Sequence, residues 1–234
     1  MKNVFKLAIG LFVVAGLGLT GCGGGGGGDT GSAATPVVES SKTYSTAKLF
    51  PLSSTAATSF TLTGSDNAGG TWTGSWLMRG DGQTVFEGKN VTKITQQISM
   101  KLTGATGSAT SSSNVTSYYN ADQSLYKAIY SGAASGYAIQ TNNFVPPLIF
   151  KIGDAFTGPA MTSYINGVTE YQTSTYQIND GGNGNAKVSS TIHYTSGNSA
   201  TTEQIITPTG DLVSMKMVMN YPSLGRTVTL YGSR

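Results

Sequence analysis

From Ser59 to the C-terminus, apolar and polar side chains alternate in short runs, each broken by a cluster of Gly, Asn, Asp or Ser. A period of two belongs to half-buried β-strands, and no segment after residue 40 keeps a helical period over three turns. Composition agrees: 27 Ser, 32 Thr, 12 Tyr and 8 Phe are residues that suit a pleated surface. A coiled coil is excluded because only 11% of residues are charged. One Cys and one His exclude a disulfide scaffold, a zinc module and a c-type haem protein.

The runs can be placed. Residues 59–63 alternate, residues 64–70 turn, and residues 71–78 put Trp72, Gly74, Trp76 and Met78 on one face. Residues 79–82 read as the next turn. Between 90 and 102, Ile94, Gln96, Ile98, Met100 and Leu102 share a face opposite Lys93, Thr95, Gln97, Ser99 and Lys101. That strand buries one side only. Residues 104–114 read as a small-residue loop, and 115–130 as a hairpin. A crossing with Pro146 and Pro147 follows. Further strands fall near 169–178, 186–195, 200–207, 211–220 and 226–231. Short turns between consecutive strands make neighbours antiparallel. The expected fold is all-β: an antiparallel meander, strongly curved or barrel-like so that its edges are protected. One turn of helix fits within 49–57.

The N-terminus reads as an address. Lys2 and Lys6 precede an uncharged run over residues 7–19, too short to span a bilayer as a helix but suited to a signal-peptide core. The run ends in Leu19-Thr20-Gly21-Cys22, which resembles the bacterial lipobox. That resemblance implies acylation of Cys22 with palmitate-type chains and cleavage before it. Removing residues 1–21 leaves twelve basic residues against eleven acidic ones, with no basic run for a phosphate backbone. Nucleic acid is therefore not an expected partner. Six Gly at 23–28 form a flexible tether. The expected organisation is a signal peptide at 1–21, a lipidated Cys and linker at 22–43, and one all-β domain at 44–234 with two halves meeting near 142–150.

Catalytic chemistry is sparse. His193 is the only imidazole and falls on the face of Ser189 and Thr191; no Gly-x-Ser-x-Gly elbow accompanies it. Asp66, Asp81, Asp122, Asp154, Asp180 and Asp211 sit in turn-like contexts, while Glu87, Glu170 and Glu203 sit in expected strands without a paired carboxylate. Residues 180–185 begin like a Ca²⁺-binding Gly-rich repeat, but Ala186 stands where that pattern needs Asp, and there is one copy. No catalytic residue, metal ligand or cofactor is expected. Arg79-Gly80-Asp81 matches an integrin-recognition tripeptide, but a Gly-Asp-Gly turn explains it fully and no function is assigned to it. Trp72 and Trp76, with Gly74 between them, are the candidate ligand contacts, with core packing the favoured reading.

The lipobox, the poly-Gly tether and residues 60–66, 70–75 and 180–187 together resemble a group of uncharacterised bacterial lipoproteins. A looser architectural similarity is to the curved half-barrels of the lipoprotein-localisation carriers. Gly, not Asp, after Cys22 implies, by the sorting rule of such lipoproteins, the outer membrane, with membrane contact through the lipid anchor. The leading expectation is a non-enzymatic envelope lipoprotein acting as a binding or structural module, its protein or small-molecule partner unspecified. The alternatives are a carrier of an apolar or glycan ligand in the curved sheet, and a carboxylate-dependent hydrolase.

Overall fold

A computed structural model describes residues 42–46 and 57–234. The signal peptide, Cys22, the poly-Gly tether and nearly all of the segment read as a helical turn lie outside the described residues.

Fifteen strands follow one another: β1 (Thr43–Ser45), β2 (Ala57–Asp66), β3 (Thr71–Phe86), β4 (Lys89–Gly104), β5 (Gly107–Tyr119), β6 (Leu125–Gly132), β7 (Gly136–Gln140), β8 (Ile149–Lys151), β9 (Ala155–Thr157), β10 (Met161–Ile165), β11 (Val168–Gly182), β12 (Asn185–Tyr194), β13 (Ser199–Ile206), β14 (Leu212–Tyr221) and β15 (Arg226–Ser233). All β-pairings are antiparallel. Strands β2 to β7 run in sequence order around a barrel, β10 pairs with β7 and β11, and β15 returns to β2. Twelve strands thus close into one ring, and β9 pairs with β11 beside β10. The sequences before and after the Pro146-Pro147 crossing lie in the same sheet.

The alternation sets which face turns inward. In β3 and β4, Trp72, Trp76, Met78, Ile94, Ile98, Met100 and Leu102 are buried, while Thr73, Ser75, Gln97, Ser99 and Lys101 face out. On these strands the outer face is Thr, Ser, Lys and Gln over a mostly apolar inner face, the reverse of a membrane-spanning barrel, whose lipid-facing band is apolar.

Two segments depart from the expected pattern. Residues 79–82 do not turn: β3 continues through them with a β-bulge between Gly80 and Gly82. Gly82 takes φ +77, and Asp81 is held by Arg79, Thr95 and Lys93 across the bulge. The actual turn lies at Glu87-Gly88, both at positive φ, so Glu87 is a turn residue. The expected loop at 104–114 is mostly strand. Residues 107–114 of β5 pair with β4 through the backbone, which requires no large side chain.

The barrel has two ends. At the near end, β1 pairs with β8 of the crossing, and Tyr44 stacks on Phe150 with ring centroids 6.1 Å apart. Ser45 N–H donates to the Pro208 carbonyl at 3.1 Å, and Lys42 Nζ donates to the Gly184 carbonyl at 2.6 Å. Both acceptors lie in hairpin turns, so the small sheet covers this end. The far end is built from the turns that link β2 to β3, β4 to β5 and β12 to β13, and from the 3-10 turn Pro222–Leu224 before β15.

Candidate functional site

Trp72 and Trp76 are both buried inside the barrel. Trp72 Nε1 donates to Asp66 Oδ2 at 3.0 Å and Trp76 Nε1 donates to Gln96 Oε1 at 3.1 Å, so each indole finds an internal acceptor. Phe60 packs on Trp76 with centroids 5.7 Å apart. Gly74 leaves no gap between the two indoles. A Cβ there would collide with the Ser99 carbonyl and would lie 2.6 Å from Met100 Sδ. The space that alternation placed between the tryptophans is filled by β4.

Asp66 is the most connected carboxylate. Its Oδ1 accepts from Ala68 N–H at 2.9 Å and Gly70 N–H at 3.0 Å, and Arg226 Nη1 lies 2.7 Å from Oδ2. Burial by itself would raise this carboxyl. The hydrogen bonds from Gly70, Trp72 and Ala68, with the Arg226 charge, outweigh it and hold Asp66 below the ordinary carboxylate range. The group is spent on structure: it ties β2, β3 and β15 at the far end.

The other carboxylates do not converge. His193 faces outward on β12, opposite Thr173 and Ser199. Among the described residues no group of three His, Cys, Asp or Glu could hold a metal. Asp180 Oδ1 accepts Gly182 N–H at 2.9 Å, which closes the local turn. A surface groove of about 430 Å³ at the near end is lined by Asn120, Asp122, Gln140 and Asn142 among others. Asp122 accepts from Ser124, and Gln140 donates to the carbonyls of Asn142 and Phe144. One carboxylate with no second acid or base beside it gives the groove no acid–base pair.

The barrel interior itself is two-sided. One wall, from β2, β3, β4, β14 and β15, is Phe60, Leu62, Trp72, Trp76, Met78, Met100, Met215, Met217, Met219 and Leu230. The remaining strands β5, β6, β11, β12 and β13 bury Ser117, Tyr119, Tyr130, Gln172, Tyr176, Ser190, Tyr194, Thr202 and Gln204 among Val115, Ile178, Val188, Ile192 and Ile206. Eleven buried side-chain polar atoms among the described residues lack a well-formed hydrogen bond to another group of the protein. Nine of them belong to the residues of this second wall, and the remaining two are Gln96 Nε2 and Asn198 Oδ1. Burial raises the hydroxyls of Tyr119, Tyr130, Tyr176 and Tyr194 above the ordinary phenol range. They also feel one another: Tyr119 acts on Tyr130 and Tyr176, and Tyr130 acts on Tyr194. Ser117 beside Tyr119 and Ser174 beside Tyr176 partly offset that rise as hydroxyl neighbours.

Sequence reasoning did not single out this wall. Its signal was present as Tyr, Ser and Gln on the inward side of alternating runs, but those residue types are equally common on outward faces. No family model, curated protein or solved structure matches this chain.

Proposed function

We propose that this protein is a lipid-anchored, non-enzymatic module of the bacterial envelope, attached through Cys22 to the outer membrane and holding its barrel at the membrane surface. The observation that carries this reading is the placement of the near end. Lys42–Thr46, the described residues closest to Cys22, run across that end. Leu148 and Ile149 stand exposed beside the β1–β8 pair, and Val85, 67% exposed, lies in the β3–β4 hairpin at this end. Exposed apolar side chains beside the segment where an anchor arrives suit contact with a lipid surface. The polar outer wall suits a barrel that stands beside the bilayer and does not cross it. With the carboxylates scattered and His193 outside, binding or structural work fits better than hydrolysis.

Fractionation tests the attachment. Wild-type protein should sediment with membranes and leave them only with detergent, whereas Cys22→Ser should lose that association, because the thiol is the acyl acceptor. Membrane association unchanged in Cys22→Ser would count against an acyl anchor.

A further inference from the structure

Three of the four exposed tyrosines stand on adjoining strands of the outer wall. Tyr137 of β7, Tyr164 of β10 and Tyr171 of β11 are 39%, 37% and 43% exposed, while Ala138, Ser163 and Gln172 beside them are buried. Register brings the three together: Tyr137 pairs with Tyr164, and Thr162, two residues before Tyr164, pairs with Tyr171. The Tyr137 and Tyr164 rings stack with centroids 4.8 Å apart. Cross-strand packing accounts for that stack but not for leaving three rings together in water. Ile139 follows Tyr137 on the same outer face, about 7 Å along the strand. With Tyr126 and Val145 it lines the groove of about 430 Å³, a size that suits a small-ligand site. Tyr126 is held in place there. Its hydroxyl donates to Glu87 Oε2 at 2.7 Å, and the Phe86 ring meets it edge-on at 6.3 Å. Glu87 also accepts from Lys127, whose Nζ lies 5.2 Å from the Tyr137 ring centre, so one ion pair ties the groove to the tyrosine stack.

We propose that this outer face binds a neutral glycan chain, its sugar rings lying on Tyr126 and on the Tyr137–Tyr164 pair and its hydroxyl groups meeting Asn120, Asp122 and Asn143. A sugar ring has an apolar C–H face that packs on an aromatic ring and a rim of hydroxyls that both donate and accept. The groove supplies the matching polar groups: two amides and one carboxylate beside the Tyr126 ring. The Ser124 hydroxyl and N–H both donate to Asp122 and hold its carboxyl below the ordinary carboxylate range, so it stays an ionised acceptor. Asp122 is the only charged residue that lines the groove, which disfavours an anionic ligand. A peptide added as a strand has no place here, because β7 and β10 are each paired on both sides. Tyr171 extends the platform beyond the stacked pair, so the face suits a chain of sugars better than a single one. The ties on Tyr126 and the ring stack fix the aromatic contacts before binding, which lowers the ordering cost.

The proposal deepens the binding side of the function above. It rests on the outer face and not on Cys22, so Cys22→Ser should bind sugar as the wild type does, and loss of binding and loss of membrane attachment are separate results. The test titrates the full chain, in phosphatidylcholine nanodiscs, with cellohexaose, maltohexaose, mannohexaose and chitohexaose by calorimetry. Glucose and hexagalacturonate are the controls. At least one neutral hexasaccharide should give saturable heat, and neither control should match it at the same concentration. The double variant Tyr137→Ser with Tyr164→Ser should bind that sugar about tenfold more weakly, as expected for loss of two aromatic contacts. Tyr171→Ser leaves the ring stack intact and should weaken binding about threefold, so the test does not depend on the double variant folding. Tyr231→Ser removes an equally exposed tyrosine from β15 and should leave the affinity unchanged. No saturable heat from any neutral hexasaccharide, equal affinity for hexagalacturonate, wild-type affinity in Tyr171→Ser, or an equal loss in Tyr231→Ser would each overturn the proposal.

Discussion

Asp66 and Trp72 show how single residues set this barrel. Asp66 accepts the Trp72 indole N–H and two backbone N–H groups while facing Arg226, so one carboxylate fastens three strands. Its folded pKa lies below the ordinary value of 3.8. A depressed carboxyl stabilises the fold fully above its unfolded pKa and loses that contribution as pH falls through the lower folded value. The urea midpoint should therefore fall between about pH 5 and pH 2. Asp66→Asn should start lower at pH 7 and fall less across that window. An equal fall in both proteins would assign the acid sensitivity elsewhere, with Asp81 the next carboxyl held low. Trp72→Ala should cost about 3–5 kcal/mol in urea unfolding, as for other large-to-small core truncations. An unchanged midpoint would mean that the indole does not act as core. Alternation alone places Trp72 and Trp76 on one inward face. It does not reveal that Met100 and the β4 backbone fill the space at Gly74, because cross-strand register is a non-local property.

At the scale of elements, long alternating runs were legible and short ones were not. β11 to β15 fall where period two and turn residues put them, to within a few residues. β7 and β10, five residues each, escape that reading, since Gly136 and Ser163 interrupt an already short pattern. Yet these two strands close the ring. The available signal was Asn166-Gly167, whose positive φ pair makes the tight turn between β10 and β11. The bulge at Gly80–Gly82 misleads in the opposite direction, because Gly and Asp serve a bulge as well as a turn. Close approach of β3 and β4 gives a prediction at this scale. Gly74→Val would drive a side chain into the Ser99 carbonyl, which is backbone and cannot turn aside. The variant should unfold at a markedly lower temperature than the wild type, read by the far-ultraviolet circular dichroism of the sheet. A Tm equal to that of the wild type would show that the strands can part without cost.

At the scale of the whole molecule, one end of the barrel bears the approach of Lys42–Thr46 beside exposed Leu148 and Ile149, and the wall faces outward with hydroxyls and lysines. All-β architecture was legible because one period repeats along most of the chain. Closure was not, because it depends on which distant strands meet. The burial of Ser, Gln and Tyr inside was also hidden, since it appears only once β10 and β11 close the ring. In the proposed reading, nineteen residues, 23–41, separate Cys22 from the segment that reaches the near end. Metabolic labelling with a palmitate analogue is the most direct measurement of that account. Wild-type protein should carry the label and Cys22→Ser should carry none. Equal labelling of the two, or no label on either, would contradict attachment through Cys22.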